Sequence, residues 1–555
     1  MRRRKRRNLG EQDGQRLKYQ RRESEGYMVR KFKDLSVYLE CSAGSTPRVE
    51  TVKNYIDIMQ KLGYTRLYLG LSGAYHIDDE PYFAYKKGKY TTEQLQEIDS
   101  YGKEKGIEII AGIQTLAHLS FLSMHDHFRP LMDTNATVMV GDEKVYELID
   151  KMFASISKGL SSRNIHIGFD EACDIGMGNY MKRHGRADGK ELVLRHLIRV
   201  LDIAKKYGYA CEIWNDMLTE KCDSTVTAKQ VKDNLHDNTS IVLWNYEEKD
   251  EENLRKLIED TLTYSDKVTY AGHAWKIAGF SPNNRNSIAT MLPQMKVCEE
   301  KGIAHYMVTL WADKCTPCGW YTILPTLFWA SEYNLGNTAD KQVDKEKFFR
   351  LFGVKYDDML LLDCLDDPFK RNREVKRNTS FCALYSDILL GNFHLLFPDG
   401  VGEAYARLAK EYASVNGGAY QYVFDKYSLL AKIFSVKSEL PTKLRKAYET
   451  GDRQKVKSLC TEMSTLIGDM QTFIKLFNGY FLRENMAIGA ECNQFHLGGQ
   501  LIRYEYVLEC MKNYAESGTA IDELEDELLL PSWEPLPEYD SSTWYDYRNI
   551  STYNY

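Results

Sequence analysis

The sequence predicts an α/β chain, a (β/α)8 TIM barrel followed by a C-terminal α-helical domain, and three observations lead there. Short apolar runs, each followed by an amphipathic stretch, occur eight times over roughly 300 residues from Lys33 onward. The runs are rich in apolar residues, as strands of a parallel sheet covered on both faces tend to be. The polar and aromatic residues of these units collect where each run ends, at the rim where such barrels carry their chemistry.

Taken in order, DLSVYLE (Asp34 to Glu40) is the first strand and Val49 to Leu62 its helix. TRLYLGL (Thr65 to Leu71) is followed by a helix from Thr92 to Lys105, and IEIIAGI (Ile107 to Ile113) by a loop with His118 and a helix from Val145 to Leu160. The fourth unit is NIHIGFDEACDIGMGNY (Asn164 to Tyr180) with the helix KELVLRHLIRVLDIAKKYG. In it Ile165, Ile167 and Phe169 alternate with His166, Gly168 and Asp170, so a strand sends its large apolar side chains one way and its small or polar groups the other. It ends on adjacent carboxylates, Asp170 and Glu171, and Gly176 and Gly178 then leave room for something to approach the backbone. ACEIWND (Ala210 to Asp216), SIVLWNY (Ser240 to Tyr246), KVTYAGH (Lys267 to His273) and HYMVTLW (His305 to Trp311) complete the series, with a last helix at Leu324 to Tyr333.

Beyond Gly336 the strand pattern stops and long helical patterns replace it. We divide the chain into a basic, disordered extension at 1–31, the barrel at 32–336, an α-helical domain at 337–530 and a Tyr- and Pro-rich segment at 531–555 that packs on the body. No long linker separates barrel from helices, so the two are expected to share an interface. The 555 residues, 43% of them hydrophobic, are enough for both parts.

A net charge of −6 argues against a general nucleic-acid binder, and no run reaches the approximately 18 apolar residues that span a bilayer. Twelve cysteines without framework spacing suit a reducing compartment. The basic segment at 1–31 lacks the apolar core of a secretory signal, so a cytoplasmic location is expected. Cys315 and Cys318 form one CxxC pair with no second pair or histidine at zinc spacing, and are read as thiols and not as a metal site. No metal or cofactor is expected. The oligomeric state is not legible in the helical faces.

At the strand ends stand His118, Asp170 with Glu171, Trp214 with Asp216, Trp244 with Tyr246, His273 with Trp275, and Trp311 with Asp313. Period-two counting places Trp214 with Asp216, Trp244 with Tyr246 and Trp311 with Asp313 on shared faces. A cup walled by indoles and floored by carboxylates suits a sugar, whose C–H faces stack on rings while its hydroxyls need acceptors.

With QTLAHL, HIGFDEACDIGMGNY and LWADK on the page, the chain resembles the glycoside hydrolase family 20 β-N-acetylhexosaminidases, in the branch without an N-terminal accessory domain that includes hexosaminidase D. EPYFAYKKGKYTTEQLQEIDSYGKEKGIEIIAGIQTLAHL, LYSDILLG and FLRENMAIGAECNQFHLGGQLIR extend the likeness over most of the chain from Lys33. The resemblance implies an exo-acting retaining hydrolase that releases terminal β-linked GlcNAc or GalNAc from a glycan or glycoconjugate. In such enzymes the substrate's own 2-acetamido oxygen is the nucleophile. Glu171 matches the general acid/base and Asp170 the residue that holds the acetamido N–H. Tyr246 matches the hydroxyl on the acetamido carbonyl, and Trp244, Trp275 and Trp311 the walls of the sugar pocket, with Trp214 beside them. His118 and His166 resemble histidines near the acid. Asp313 falls where a carboxylate meets the 4- and 6-hydroxyls, and Asp216 is a second choice for that work. A less solvated Glu171 beside ionised Asp170 is expected to have a raised pKa.

The chain departs from that pattern in places. After strand two it has Ser72, Gly73 and His76 where relatives tend to carry acids, and Glu40 and Cys41 stand where larger members have an Arg, with Arg48 the nearest candidate. Pro317 replaces an expected acid after strand eight. These changes leave a second reading open, a carbohydrate-binding protein on a hydrolase scaffold with altered specificity or lost turnover.

Overall fold

The computed structural model describes residues 30–42, 44–219, 224–277, 279–312, 316–370, 379–391 and 397–527. The expectations for 1–29, for Asp313 and Cys315 and for 531–555 lie outside the described residues. Eight parallel strands close into a barrel in sequence order, each paired with the next and β8 with β1. They are β1 (Asp34–Glu40), β2 (Arg66–Gly70), β3 (Glu108–Gly112), β4 (Asn164–His166), β5 (Ala210–Trp214), β6 (Ser240–Trp244), β7 (Val268–His273) and β8 (His305–Leu310). The helices that cover them are α1 (Val49–Leu62), α2 (Thr92–Lys105), α3 (Glu143–Gly159), α4 (Gly189–Lys206), α5 (Ala228–Asn234), α6 (Glu251–Leu262), α7 (Asn284–Lys301) and α8 (Leu324–Asn334).

Strand alternation sorts the side chains. Leu35, Val37 and Leu39 of β1 join the large outer core under the helices, while Tyr38 belongs to an inner cluster with Tyr68, Ile110, Trp214, Val242 and Met307. Each fully buried aliphatic side chain in these layers contributes about 1.5–3 kcal/mol. Glycines at the ends of two strands make room for the inner ring. A Cβ on Gly70 or on Gly112 would sit 2.5 Å from an atom of the Tyr38 phenol. Tyr38 can therefore lie across the mouth of the barrel and become part of its floor.

The fourth strand is shorter than its apolar alternation suggests. It ends at His166, and the backbone then turns left-handed at Gly168 (φ 78°), Phe169 (φ 78°) and Glu171 (φ 52°). Positive φ in a bulky residue such as Phe169 is an outlier that surrounding packing must hold. Phe169 and Ile167 are fully buried, which supplies that packing. Gly176 and Gly178 do admit a close neighbour, and it is the chain itself. Asp133 Oδ2 accepts from Gly176 N at 2.6 Å, and a Cβ on Gly178 would lie 2.0 Å from the Asp133 carbonyl.

From 337 onward the described elements are helical, the longest being α9 (Val401–Ser414), α10 (Gln421–Lys437), α11 (Arg453–Glu484) and α12 (Ala490–Ser517). They grip the barrel loops. Lys426 of α10, fully buried, donates to Pro317 O at 3.0 Å, and Glu484 at the end of α11 accepts from Trp320 N at 2.7 Å. Asp363 accepts from Asn284 and Arg285 at the start of α7, and Met486 N donates to Thr46 O at 2.8 Å. The loops after β1, β7 and β8 are thus fastened from outside.

Candidate active site

A cleft of about 520 Å³ opens at the carboxyl ends of the strands. Of the expected site residues, His118, Asp170, Glu171, Trp214, Trp244, Tyr246, Trp275 and Trp311 line it. The loop that follows β4 delivers both acids, and its left-handed residues set their directions. Asp170 turns inward, its side chain 15% exposed, whereas Glu171 faces the opening at 59%. The expected order of solvation is therefore reversed. Because Phe169 and Glu171 leave extended geometry, simple alternation no longer says which acid is the deeper.

Asp170 is held on two sides. Gln114 Nε2 donates to Oδ1 at 3.0 Å, and His118 Nε2 lies 3.1 Å from Oδ2 and 3.6 Å from Glu171 Oε2. The hydrogen bond to Asp170 is the main reason that the His118 pKa is raised to about 9. Burial alone would raise Asp170, but the His118 bond and charge and the Gln114 amide outweigh it and hold the carboxyl below its ordinary value. Asp170 stays ionised beside an imidazolium. His118 itself has a left-handed backbone (φ 56°).

The walls are built from mutual contacts. Trp311 Nε1 donates to the Tyr246 hydroxyl at 3.1 Å, and the Tyr246 ring packs 5.3 Å from Trp244 and edge-on to Trp275 at 6.4 Å. Tyr38, Trp214 and Trp311 meet at 5.1–5.8 Å between ring centres and form the floor. Indole faces and a phenol around a carboxylate offer apolar surfaces for C–H stacking beside an acceptor for an N–H or O–H.

Two expected residues stand outside the lining. His166 is fully buried beneath Trp214, ring centres 4.3 Å apart, and its Nδ1 accepts from Gly168 N at 3.1 Å. Burial lowers its pKa to about 3, so it is a neutral support for the floor. Asp216, only 5% exposed, opens a short helix (Asp216–Thr219) and leaves the strand face that period-two counting gave it. Its Oδ2 accepts from Glu171 N at 2.8 Å and its Oδ1 from Trp244 Nε1 at 3.2 Å. Burial chiefly, with nearby Asp170, raises it to about 6. One carboxylate thus braces both the outer acid and a wall.

Other lining residues carry no role in the sequence reading. Tyr38 and Gln114 are inward positions that alternation and the QTLAHL motif could have supplied. Lys87 arrives from the long loop after β2, its ammonium 4.2 Å above the Phe121 ring. Glu40 also lines the cleft, accepting from Ser42 Oγ at 2.9 Å and from Ala312 N at 3.1 Å. Desolvation lowers the Lys87 pKa, and the nearby Glu40 charge opposes that shift. Arg48 instead precedes α1 and pairs with Glu50, away from the cleft. Among the described residues, no three His, Cys, Asp or Glu side chains gather to hold a metal ion. Among them too, no helix is long and apolar enough to cross a membrane.

Comparison with known proteins gives matches over both parts of the chain. Residues 49–302 match the model described as glycosyl hydrolase family 20, catalytic domain, and residues 357–538 the one described as glycoside hydrolase 20C C-terminal domain. Hexosaminidase D of Homo sapiens is 22% identical over 213 residues, 37% of this chain and 43% of that protein. Beta-hexosaminidase 3 of Arabidopsis thaliana is 25% identical over 135 residues, 23% of this chain and 25% of that protein. The chain thus matches less than half the length of each. Among solved structures, the exo β-N-acetylglucosaminidase of Vibrio harveyi in complex with N-acetylglucosamine is similar at 16% identity and a TM-score of 0.45, over 60% of this chain and 59% of that one. The chitobiase of Flavobacterium johnsoniae is similar at 14% identity and a TM-score of 0.45, over 89% of this chain and 74% of that one. Matched on its barrel and again on its helices, the chain belongs to glycoside hydrolase family 20.

Proposed function

We propose that the protein is a retaining exo-β-N-acetylhexosaminidase that releases terminal β-linked GlcNAc or GalNAc from a glycan or glycoconjugate by substrate-assisted catalysis. The observation that carries this reading is the unequal pair at the end of β4. Asp170 is turned inward and kept ionised by His118 and Gln114, and Glu171 stands at the opening. An inward carboxylate in an aromatic pocket accepts the acetamido N–H and stabilises the positive charge that develops on that group. Tyr246 holds the acetamido carbonyl oxygen in line with the anomeric carbon. That oxygen forms the new bond to the anomeric carbon while the glycosidic bond breaks and Glu171 protonates the departing oxygen. Glu171 then takes a proton from the water that opens the oxazolinium ring, work worth roughly 10²- to 10⁴-fold. Trp311 offers a face for stacking the sugar, and Glu40 and Lys87 line the same cleft as candidate partners for its hydroxyls. Twelve cysteines without framework spacing fit a cytoplasmic site of action.

The test uses a chromogenic β-N-acetylhexosaminide. Glu171→Gln and Asp170→Asn should abolish release while circular dichroism stays that of the folded protein; unchanged release by either variant would remove the mechanism. Aryl β-glycosides that lack the 2-acetamido group should be left intact. The alternative, a binding protein on this scaffold, is favoured by the changed loop after β2. Tight calorimetric binding of a GlcNAc-thiazoline without hydrolysis of any aminosugar would select it.

A further inference from the structure

The helix α12 carries large apolar residues on two opposite faces, and the described chain covers only one of them. Leu497, Tyr504, Val507 and Met511 are buried on the inner face, and α11 packs alongside. Phe495, Ile502 and Tyr506 stand on the outer face, 76%, 68% and 47% exposed. With Gly499 among them they follow intervals of four, three and four residues, so they form one stripe along the helix, the spacing at which two helices seam together. The Arg503 guanidinium lies 5.0 Å from the Tyr506 ring centre and steadies that end of the stripe. A lone exposed apolar side chain needs no explanation, but a continuous row marks a surface for association.

Gly499 interrupts the row with a notch, since a Cβ there would meet nothing within 4 Å. Glycine weakens a helix interior, and no described neighbour packs closely enough to require it. The two ends of the stripe carry opposite charge. Glu491 is exposed in the first turn and Lys512 is exposed toward the other end.

A second copy of α12 answers each of these features when it is laid antiparallel across a twofold axis between Gly499 and Ile502. In that register Ile502 enters the notch over the partner's Gly499, Phe495 meets the partner's Tyr506, and Glu491 comes beside the partner's Lys512. The twofold repeats every contact and leaves no further apolar face open, as a closed isologous pair must. A parallel pair sets notch against notch and brings Glu509 against its own copy, a like-charge contact. We propose that the protein is a twofold-symmetric homodimer joined along α12 in this antiparallel register.

Sedimentation velocity of the full chain, run from nanomolar to micromolar concentration, should show a monomer–dimer equilibrium with the dimer dominant at the upper end. Ile502→Glu places a carboxylate in an apolar notch and should raise the dissociation constant by more than about tenfold, with an unchanged far-UV circular dichroism spectrum because the side chain is exposed. Lys512→Glu should also weaken the dimer by setting two carboxylates side by side. Combining it with Glu491→Lys restores opposite charges across the seam only in the antiparallel register, so the double variant should regain the dimer. A monomer at every concentration, whether the stripe stays bare or the chain's own residues 528–555 cover it, would overturn the proposal. So would a dimer that Ile502→Glu leaves intact, or a charge swap that fails to rescue Lys512→Glu.

Discussion

His118 Nε2 reaches Asp170 Oδ2 across 3.1 Å, and this bond holds the inner acid ionised. His118→Gln removes the cation, so the Asp170 pKa rises and the acid limb of the kcat/KM profile moves to higher pH. A shift of one unit lowers activity about tenfold on that limb. Stability responds as well. His118 titrates near 9 in the fold against an ordinary 6.5, so its contribution is full below about pH 6.5 and is lost as pH rises through 9. Melting curves of the wild type and His118→Gln should differ more at pH 6 than at pH 9.5, by an amount reduced by solvent at this 41% exposed side chain.

Asp216→Asn leaves one acceptor where Glu171 N and Trp244 Nε1 need two, and it turns an amide donor toward another donor. Loss of a bond to a charged acceptor costs about 1.5–3 kcal/mol, so kcat/KM should fall roughly ten- to a hundredfold. The buried carboxyl binds its proton up to about pH 6, above its unfolded value, so it lowers stability as pH rises from 4 to 6. The melting temperature of Asp216→Asn relative to wild type should therefore improve between pH 4 and pH 7.

Gly168→Ala asks for φ 78° from a residue with a Cβ, and that carbon would lie 2.0 Å from Gln114 Oε1. A loss of more than about 1 kcal/mol is expected, seen as an earlier calorimetric transition. Displacing Gln114 also takes a donor from Asp170, so turnover should drop further than stability alone explains.

Glu484→Ala leaves the buried Trp320 N and the part-buried Tyr422 hydroxyl without their acceptor and removes a nearby counter-charge from the buried Lys426. Leaving a buried donor without its acceptor costs about 1–3 kcal/mol. Denaturant titration should show a lower midpoint. A raised KM should accompany it, because Trp311 and Trp320 belong to one loop.

Much of this was legible in the chain because the information is local. The β1 bounds read from DLSVYLE are those observed, and the spacing of Trp244 and Tyr246 does put both on the cleft. Asp216 was misplaced because the strand ends at Trp214 and a helical turn begins at once. Lys87 was invisible because it comes from a loop whose path is fixed by distant packing, such as Phe83 on Phe121. The exposure of Glu171 turned on a backbone reversal that no pattern of apolar residues encodes.

The grip of the C-terminal helices on the barrel also bears on heredity. A gene fragment ending after α8 would expose Trp320 N, Pro317 O and the Asn284 amide, groups that now find Glu484, Lys426 and Asp363 in a buried interior. Recombination that parts the barrel from its helices should therefore leave those groups unpaired, and both halves should melt in one transition.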